Sequence, residues 1–346
     1  MKYKVLAIAM TLSFNSFAGS SYSNKTEDSS TPKGYDKLSA CEKQDILWNK
    51  IKETEHKELP AYSKLGFFQI LGLVAQPLIY KVEEYSDFSP KGWKKYIHKR
   101  GSVAKVKFNS IGDHPYTGVF KGAECALIRL SVTYEPVEGK DIKVRDHSKK
   151  GHRYKYIKGK SKPVAPGLAL KILRDEIPSA NVSALYTLSG QGQDYNFFSN
   201  PLSNIVPRGS SIGEKIIHKI FSKVTRYPEE LKMKNMARST SKGEKESKPI
   251  EPRQIFFVPN SELNFSKDFH DVRNDFVTLK LNTVLYEVYA LPTSDKYKDY
   301  SQYKIEDIPK YRKQAQLIGE VTLASKFIAS EFGDLGLFFK HDIQEH

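Results

Sequence analysis

The sequence predicts an α+β fold in which an antiparallel β-barrel carries flanking helices. Three observations lead there. Between residues 98 and 324 several segments alternate apolar and polar residues with the two-residue period of a strand. Helical spacing is confined to stretches before and between those segments. The chain has 346 residues, 39% hydrophobic and 12% aromatic, which is enough apolar material for one large core or two small ones and excludes a disordered chain. No internal repeat is visible.

The first residues read as a secretory signal. Lys2 and Lys4 form a positive end, Val5 to Leu12 a short apolar region, and Ser16-Phe17-Ala18 a small-x-small cleavage site. The apolar run is too short to span a bilayer. The expectation is cleavage after Ala18 and export, periplasmic or secreted. Leu38-Ser39-Ala40-Cys41 has the form of a lipoprotein box, but no apolar region precedes it. Residues 19–38, rich in Ser, Thr, Lys and Gly, read as a flexible arm.

Ala40 to Leu59 has a stripe formed by Ile46, Trp48 and Ile51, which predicts a helix ending at Pro60. Leu65 to Tyr80 is the most apolar run after the signal. Gln69, Gln76 and Pro77 interrupt it, so it reads as a buried helix and not as a transmembrane span. These stretches form a helical N-terminal part, residues 39–97, before a barrel, residues 98–346.

The barrel begins with a strand over Ser102 to Phe108. His114 to Phe120 reads as a turn and a strand. In Ala126 to Thr133, Ala126, Ile128, Leu130 and Val132 share one face. Leu127, Arg129, Ser131 and Thr133 share the other. An arginine on a buried strand face needs an anion. Glu135 to Lys162 is a basic insertion whose Tyr and Ile positions suggest an exposed hairpin. Its Tyr154, Tyr156 and His152 are interleaved with cations, a pattern that can grip phosphates and stack on bases, although a solvated loop is the plainer reading. Asn181 to Leu188 is a further strand. Ser211 to Val224 has helical spacing with Ser211 as N-cap. Asn235 to Pro252 is a linker. Gln254 to Asn260, Phe276 to Leu291 and Leu317 to Ala324 are β-rich, and Phe327 to His341 reads as an irregular or helical tail.

Several of these segments, taken in order, resemble the haem catalases and their relatives, the catalase-like peroxidases and allene oxide synthases. The distal motif of that superfamily has the form H-x-x-G-x-x-A-x-x-x-F, and His98, Gly101, Ala104 and Phe108 stand at those offsets. Arg129-Leu130-Ser131 is similar to the next strand of the family. Gly167 to Lys171 is similar to a glycine-initiated strand with a lysine. Gln193 stands four residues before Phe197 of the pair Phe197-Phe198, where the family has asparagine. The likeness recurs near Ile305 to Pro309 and Leu317 to Leu323.

The resemblance implies a barrel of the catalase type with haem inside it. His98 would then move a proton between peroxide oxygens, with Ser131 fixing its orientation. Arg129 would pair with a haem propionate. Gln193 would donate to bound peroxide, with Asn181 and Asn196 as rivals for that role. The family binds iron through a tyrosinate with an arginine four residues earlier, and no tyrosine here has that neighbour. Tyr286, Tyr289 and Tyr311 are late in the chain, and nothing chooses among them, so the metal ligand is unknown.

The net charge is +15, and loss of Lys2 and Lys4 leaves +13. A basic exported protein attracts anionic envelope polymers or lipid surfaces, though a plain solubility role for the lysines accounts for the charge as well. No specific nucleic-acid site is evident. Cys41 and Cys125 are the two cysteines. Export permits a disulfide between them, and a buried Cys125 thiol is the alternative. No Cys/His cluster has metal-ligand spacing. Two functions follow. One is a haem protein with weak peroxide or lipid hydroperoxide chemistry. The other is a haem-free catalase-fold module that attaches to anionic envelope or membrane surfaces.

Overall fold

The computed structural model describes residues 31–53, 87–89, 100–114, 123–132, 142–145, 154–157, 166–175, 179–185, 202–203, 254–261, 263, 273–291, 315–330 and 337–339. The signal peptide expected at 1–18, the apolar run at 65–80, the helix expected at 211–224 and the linker expected at 235–252 lie outside the described residues.

Helix α1 spans Ala40–Lys52. Ser39 starts it with a reciprocal box: its hydroxyl accepts from the Glu42 N–H, and the Glu42 carboxylate accepts from the Ser39 N–H. The buried side of α1 carries Ala40, Leu47, Trp48 and Ile51, so two of the three stripe residues expected from sequence face the core. Ile46 packs against the same cluster while half-buried. The helix ends at Lys52, short of the expected boundary. The flexible-arm reading needs correction at its end. Tyr35, in a 3-10 turn at Tyr35–Lys37, is 2% exposed, because its ring packs edge-on to Phe88 and its hydroxyl donates to Asp87.

Eleven strands are described. They are β1 (Arg100–Ser110), β2 (Ala123–Val132), β3 (Ile142–Arg145), β4 (Tyr154–Ile157), β5 (Pro166–Ile172), β6 (Ala180–Leu185), β7 (Leu202–Ser203), β8 (Gln254–Pro259), β9 (Val284–Leu291), β10 (Gln316–Leu323) and β11 (Ile328–Ser330). Nine form an antiparallel sheet in the order β10-β9-β8-β7-β6-β5-β2-β1-β11, and β10 also pairs with β1. The sheet therefore curls so that β10 reaches β1, which is compatible with an antiparallel barrel. The short β7 is its thinnest stave, joined to β6 at Leu185–Ser203 alone.

Gly319 permits the closure. A Cβ there would stand 2.5 Å from Phe108 Cζ and 2.8 Å from the Asn109 carbonyl oxygen. Without one, β10 bulges between Leu317 and Gly319 and lies flat on β1.

Among the described residues, strands β3 and β4 pair only with each other, which agrees with the hairpin expected in the basic insertion. Two sequence expectations fail. The stretch opening at Phe276 begins inside a short helix α2 (Arg273–Val277), and the tail contains β11. Phe276 is drawn into the interior and its ring packs at 5.0 Å on Phe327, so the core takes both residues before a strand or tail begins.

The alternation read in β2 holds. Ala126, Ile128 and Leu130 join the interior cluster with Ala104, Val106, Phe108, Leu168, Leu170 and side chains from β6, β8, β9 and β10. Leu127 faces the other way, into a second cluster between the sheet and α1 that includes Leu47, Trp48, Phe88 and Val103. Cys125 and Cys41 form a disulfide across this second layer, with Cα atoms 5.2 Å apart, which settles the choice left open by the sequence.

Candidate functional site

The chain keeps its buried polar chemistry in that second layer, under α1. The sheet alternation assigns residues to it. In β5, Leu168, Leu170 and Ile172 point into the barrel interior, so Lys171 points out toward α1. In β2 the same rule turns Arg129 and Ser131 outward beside Leu127. Their cross-strand neighbours agree: Arg129 lies opposite Val103 and Ala169, both in the outer cluster.

Lys171 is fully buried and centres the site. Its Nζ donates to Asp87 Oδ1 at 2.7 Å and to Ser179 Oγ at 3.0 Å. Tyr35 donates to Asp87 Oδ2 at 2.7 Å, and the Ser179 hydroxyl donates to Asp87 Oδ1. The Phe339 ring lies 5.5 Å from the ammonium. Burial lowers the Lys171 pKa, and the charge of Asp87 opposes that shift. Burial first, then the Asp87 charge and hydrogen bond, push the Tyr35 phenol far above its ordinary value.

A serine beside a lysine is a known nucleophile–base pairing, but here the chemistry runs against it. A lysine base must be neutral, whereas the carboxylate at 2.7 Å favours the ammonium. The serine proton, moreover, already points at Asp87. The group is a closed ionic cluster that fixes residues 35 and 87 to β5.

Further bonds fasten α1 to the sheet. The Gln44 amide donates to the carbonyls of Val106 at 3.0 Å and Ala126 at 2.6 Å, and Lys43 Nζ donates to the Arg174 carbonyl at 2.8 Å. The Ala40 N–H donates to Asp175 at 2.6 Å.

Arg129 is 2% exposed and Ser131 is 4% exposed. Gly101, Ser131 and Gly167 form one row across β1, β2 and β5. A Cβ on Gly101 would meet the Leu130 carbonyl oxygen at 2.5 Å, Ser131 Cβ at 2.9 Å and Arg129 Cζ at 3.2 Å. The missing side chain of Gly101 thus makes room for the guanidinium. The structure brings together Gly101, Arg129 and Ser131, which sequence order alone had linked. Ser131 Oγ lies 3.5 Å from the Gly167 carbonyl oxygen.

The expectation that Arg129 and Ser131 point into the barrel is corrected. They are buried, but on the outer face, because Ile128 and Leu130 take the interior positions of β2. His98, Gln193, Asn196 and Tyr311 lie outside the described residues. Asn181, opposite Lys171 on β6, has a buried Oδ1 with no hydrogen-bond partner.

Haem is tested by what fills the interior. Phe108, Ile128, Leu130, Phe257, Phe276 and Tyr286 belong to one contiguous buried cluster there. A porphyrin in that space would have to displace several of them. Tyr286 is wholly buried, and burial pushes its phenol well above the ordinary value, against a tyrosinate. Tyr289 donates instead to Glu287 at 2.7 Å. Among the described residues no group of three or more His, Cys, Asp or Glu side chains is placed to hold a metal ion. The described residues do not fit a haem inside the barrel.

Asp87, Ser179 and Tyr35 were missed from sequence. The available signal was Lys171 itself, a lysine inside the apolar strand GLALKIL, which demands a buried carboxylate as Arg129 demands an anion. Nothing local marked Asp87, which is 84 residues away.

No protein-family model matches the chain, and neither a curated protein nor a solved structure matches it.

Proposed function

We propose that this chain is an exported barrel of the catalase type that works without haem, as a binding or structural module at anionic envelope or membrane surfaces. The observation that carries the reading is the apolar filling of the barrel interior, where the resemblance expects haem. Lys171 supports it, because a charge on a motif strand is neutralised by Asp87 within the chain. The catalase type is supported by motif order: Gly101, Arg129-Leu130-Ser131 and Gly167 to Lys171 fall on three adjacent strands. The Cys41–Cys125 disulfide supports an oxidising compartment, in line with the signal-like first residues. A net charge of +15 supports an anionic partner.

The test pairs two assays on purified protein. With haem supplied, peroxide turnover should stay at the level of free haem. On an anionic matrix the protein should be retained at low salt and released as salt rises. Turnover well above free haem would defeat the proposal, and so would indifference to the anionic matrix.

A further inference from the structure

We infer that the Cys41–Cys125 disulfide is a redox latch on α1, opened from one side only, at Cys41, by a partner that carries a dithiol. The inference uses the two cysteines of the chain and does not depend on the anionic-surface reading.

The two sulfurs sit in unlike surroundings. Cys41 is the second residue of α1 and is exposed. Cys125 lies in β2 and is buried in the layer between the sheet and α1. Thiol exchange requires access to the sulfur that is attacked, so it starts at Cys41.

The latch acts on the first turn of α1. Among the described residues three links join that turn to the sheet. The disulfide runs from Cys41 to β2. The Ala40 N–H donates to Asp175 at 2.6 Å, and Lys43 Nζ donates to the Arg174 carbonyl at 2.8 Å, both just past the end of β5. These two are hydrogen bonds, and Asp175 is exposed, so water competes for it once the covalent link is gone. Further along the helix the Gln44 amide stays on the Val106 and Ala126 carbonyls, and Leu47, Trp48 and Ile51 stay packed. Reduction therefore loosens the start of α1 without detaching the helix, and Cys125 remains within reach of Cys41.

That retained reach selects the reductant. A thiolate attacks Cys41 Sγ, a new S–S bond forms there, and the old one breaks. Its electron pair passes to Cys125 Sγ, which takes up a proton. A single thiol stops at this mixed disulfide, and Cys125, held close at high effective concentration, attacks it and restores the original bond. In a dithiol the second thiolate attacks the first sulfur instead, and the electron pair passes to Cys41 Sγ, which takes up a proton. Two electrons and two protons have then moved to the protein, and the dithiol leaves as a disulfide.

The experiment treats the folded, oxidised full chain with dithiothreitol or with reduced glutathione at the same thiol concentration. Alkylation, mass mapping and amide exchange are then read. Dithiothreitol should open the bond while the chain stays folded. Glutathione should leave it closed, with a trace of mixed disulfide on Cys41 alone. On reduction, amide exchange over residues 40–44 should rise by roughly tenfold or more, and that of β8 and β9 by less. Cys125→Ala should take up glutathione from oxidised glutathione at Cys41, whereas Cys41→Ala should react at Cys125 roughly a hundredfold more slowly. A cooperative thermal transition checks that each variant folds.

A mixed disulfide on Cys125, or equal rates in the two variants, overturns the one-sided assignment. Opening by glutathione as complete as by dithiothreitol overturns the need for a dithiol. Exchange that rises equally in α1 and in β8 and β9, or in none of them, makes the disulfide a plain brace and overturns the latch. A bond that dithiothreitol opens only as the chain unfolds does the same.

Discussion

At Lys171 the desolvation of an ammonium group is offset by a carboxylate and an aromatic face from distant parts of the chain and by a hydroxyl eight residues away. Removing one partner leaves the other charge buried. Lys171→Met should therefore destabilise by about 3–5 kcal/mol in chemical denaturation, and adding Asp87→Asn should recover part of that loss. The pH dependence follows from the same cluster. Tyr35 and Tyr286 hold their protons in the folded chain above pH 10.0, where the unfolded chain releases them. Their contribution is whole below that pH and is lost above it, by up to about 1.4 kcal/mol per pH unit each. Lys171 acts in the opposite sense, because its depressed pKa makes stability rise with pH until the unfolded value of 10.5 is reached. Stability should thus fall most steeply above pH 10.5, and Tyr35→Phe should roughly halve that slope in denaturation curves taken across the alkaline range. The need for partners was legible in Arg129 and Lys171 as charges on apolar strands. The partners were not, because Asp87 and Tyr35 reach the site only through folding.

Helix α1 is held by packing, by Gln44 and Lys43 bonds to the sheet, and by the disulfide. The cysteines are 84 residues apart, so the chain-entropy model assigns the bond about 4.5 kcal/mol. Cys41→Ala with Cys125→Ala should lower the melting temperature, and reductant should do the same to the wild type but not to the variant. Strand closure depends on Gly319. Gly319→Ala forces Phe108 or the Asn109 backbone aside and should destabilise by about 1–3 kcal/mol, with amide exchange in β10 and β1 rising more than in β5. Strong alternation made β1, β2, β6, β8 and β10 legible, with boundaries shifted by a few residues. Phe276 and Ile328 were misplaced because their partners across the core decide their local structure, and periodicity over a few residues cannot report those partners.

Over the whole molecule, the order of motif-like segments anticipated a curled antiparallel sheet, and β10 returning to β1 agrees with it. What order could not say is which face each residue takes. Two-residue periodicity pairs Arg129 with Ser131 but is blind to inside and outside. The interior went to Phe108, Phe257, Phe276 and Tyr286, and Arg129 and Ser131 took the opposite face of β2. The described interior of the sheet leaves no room for haem, and a haem titration of the oxidised protein followed by Soret absorbance tests this most directly. The expected result is only weak, non-saturating absorbance that Arg129→Ala leaves unchanged. A saturable one-to-one Soret shift that Arg129→Ala weakens by roughly ten- to a hundredfold, the usual weight of a charged hydrogen bond, would contradict it.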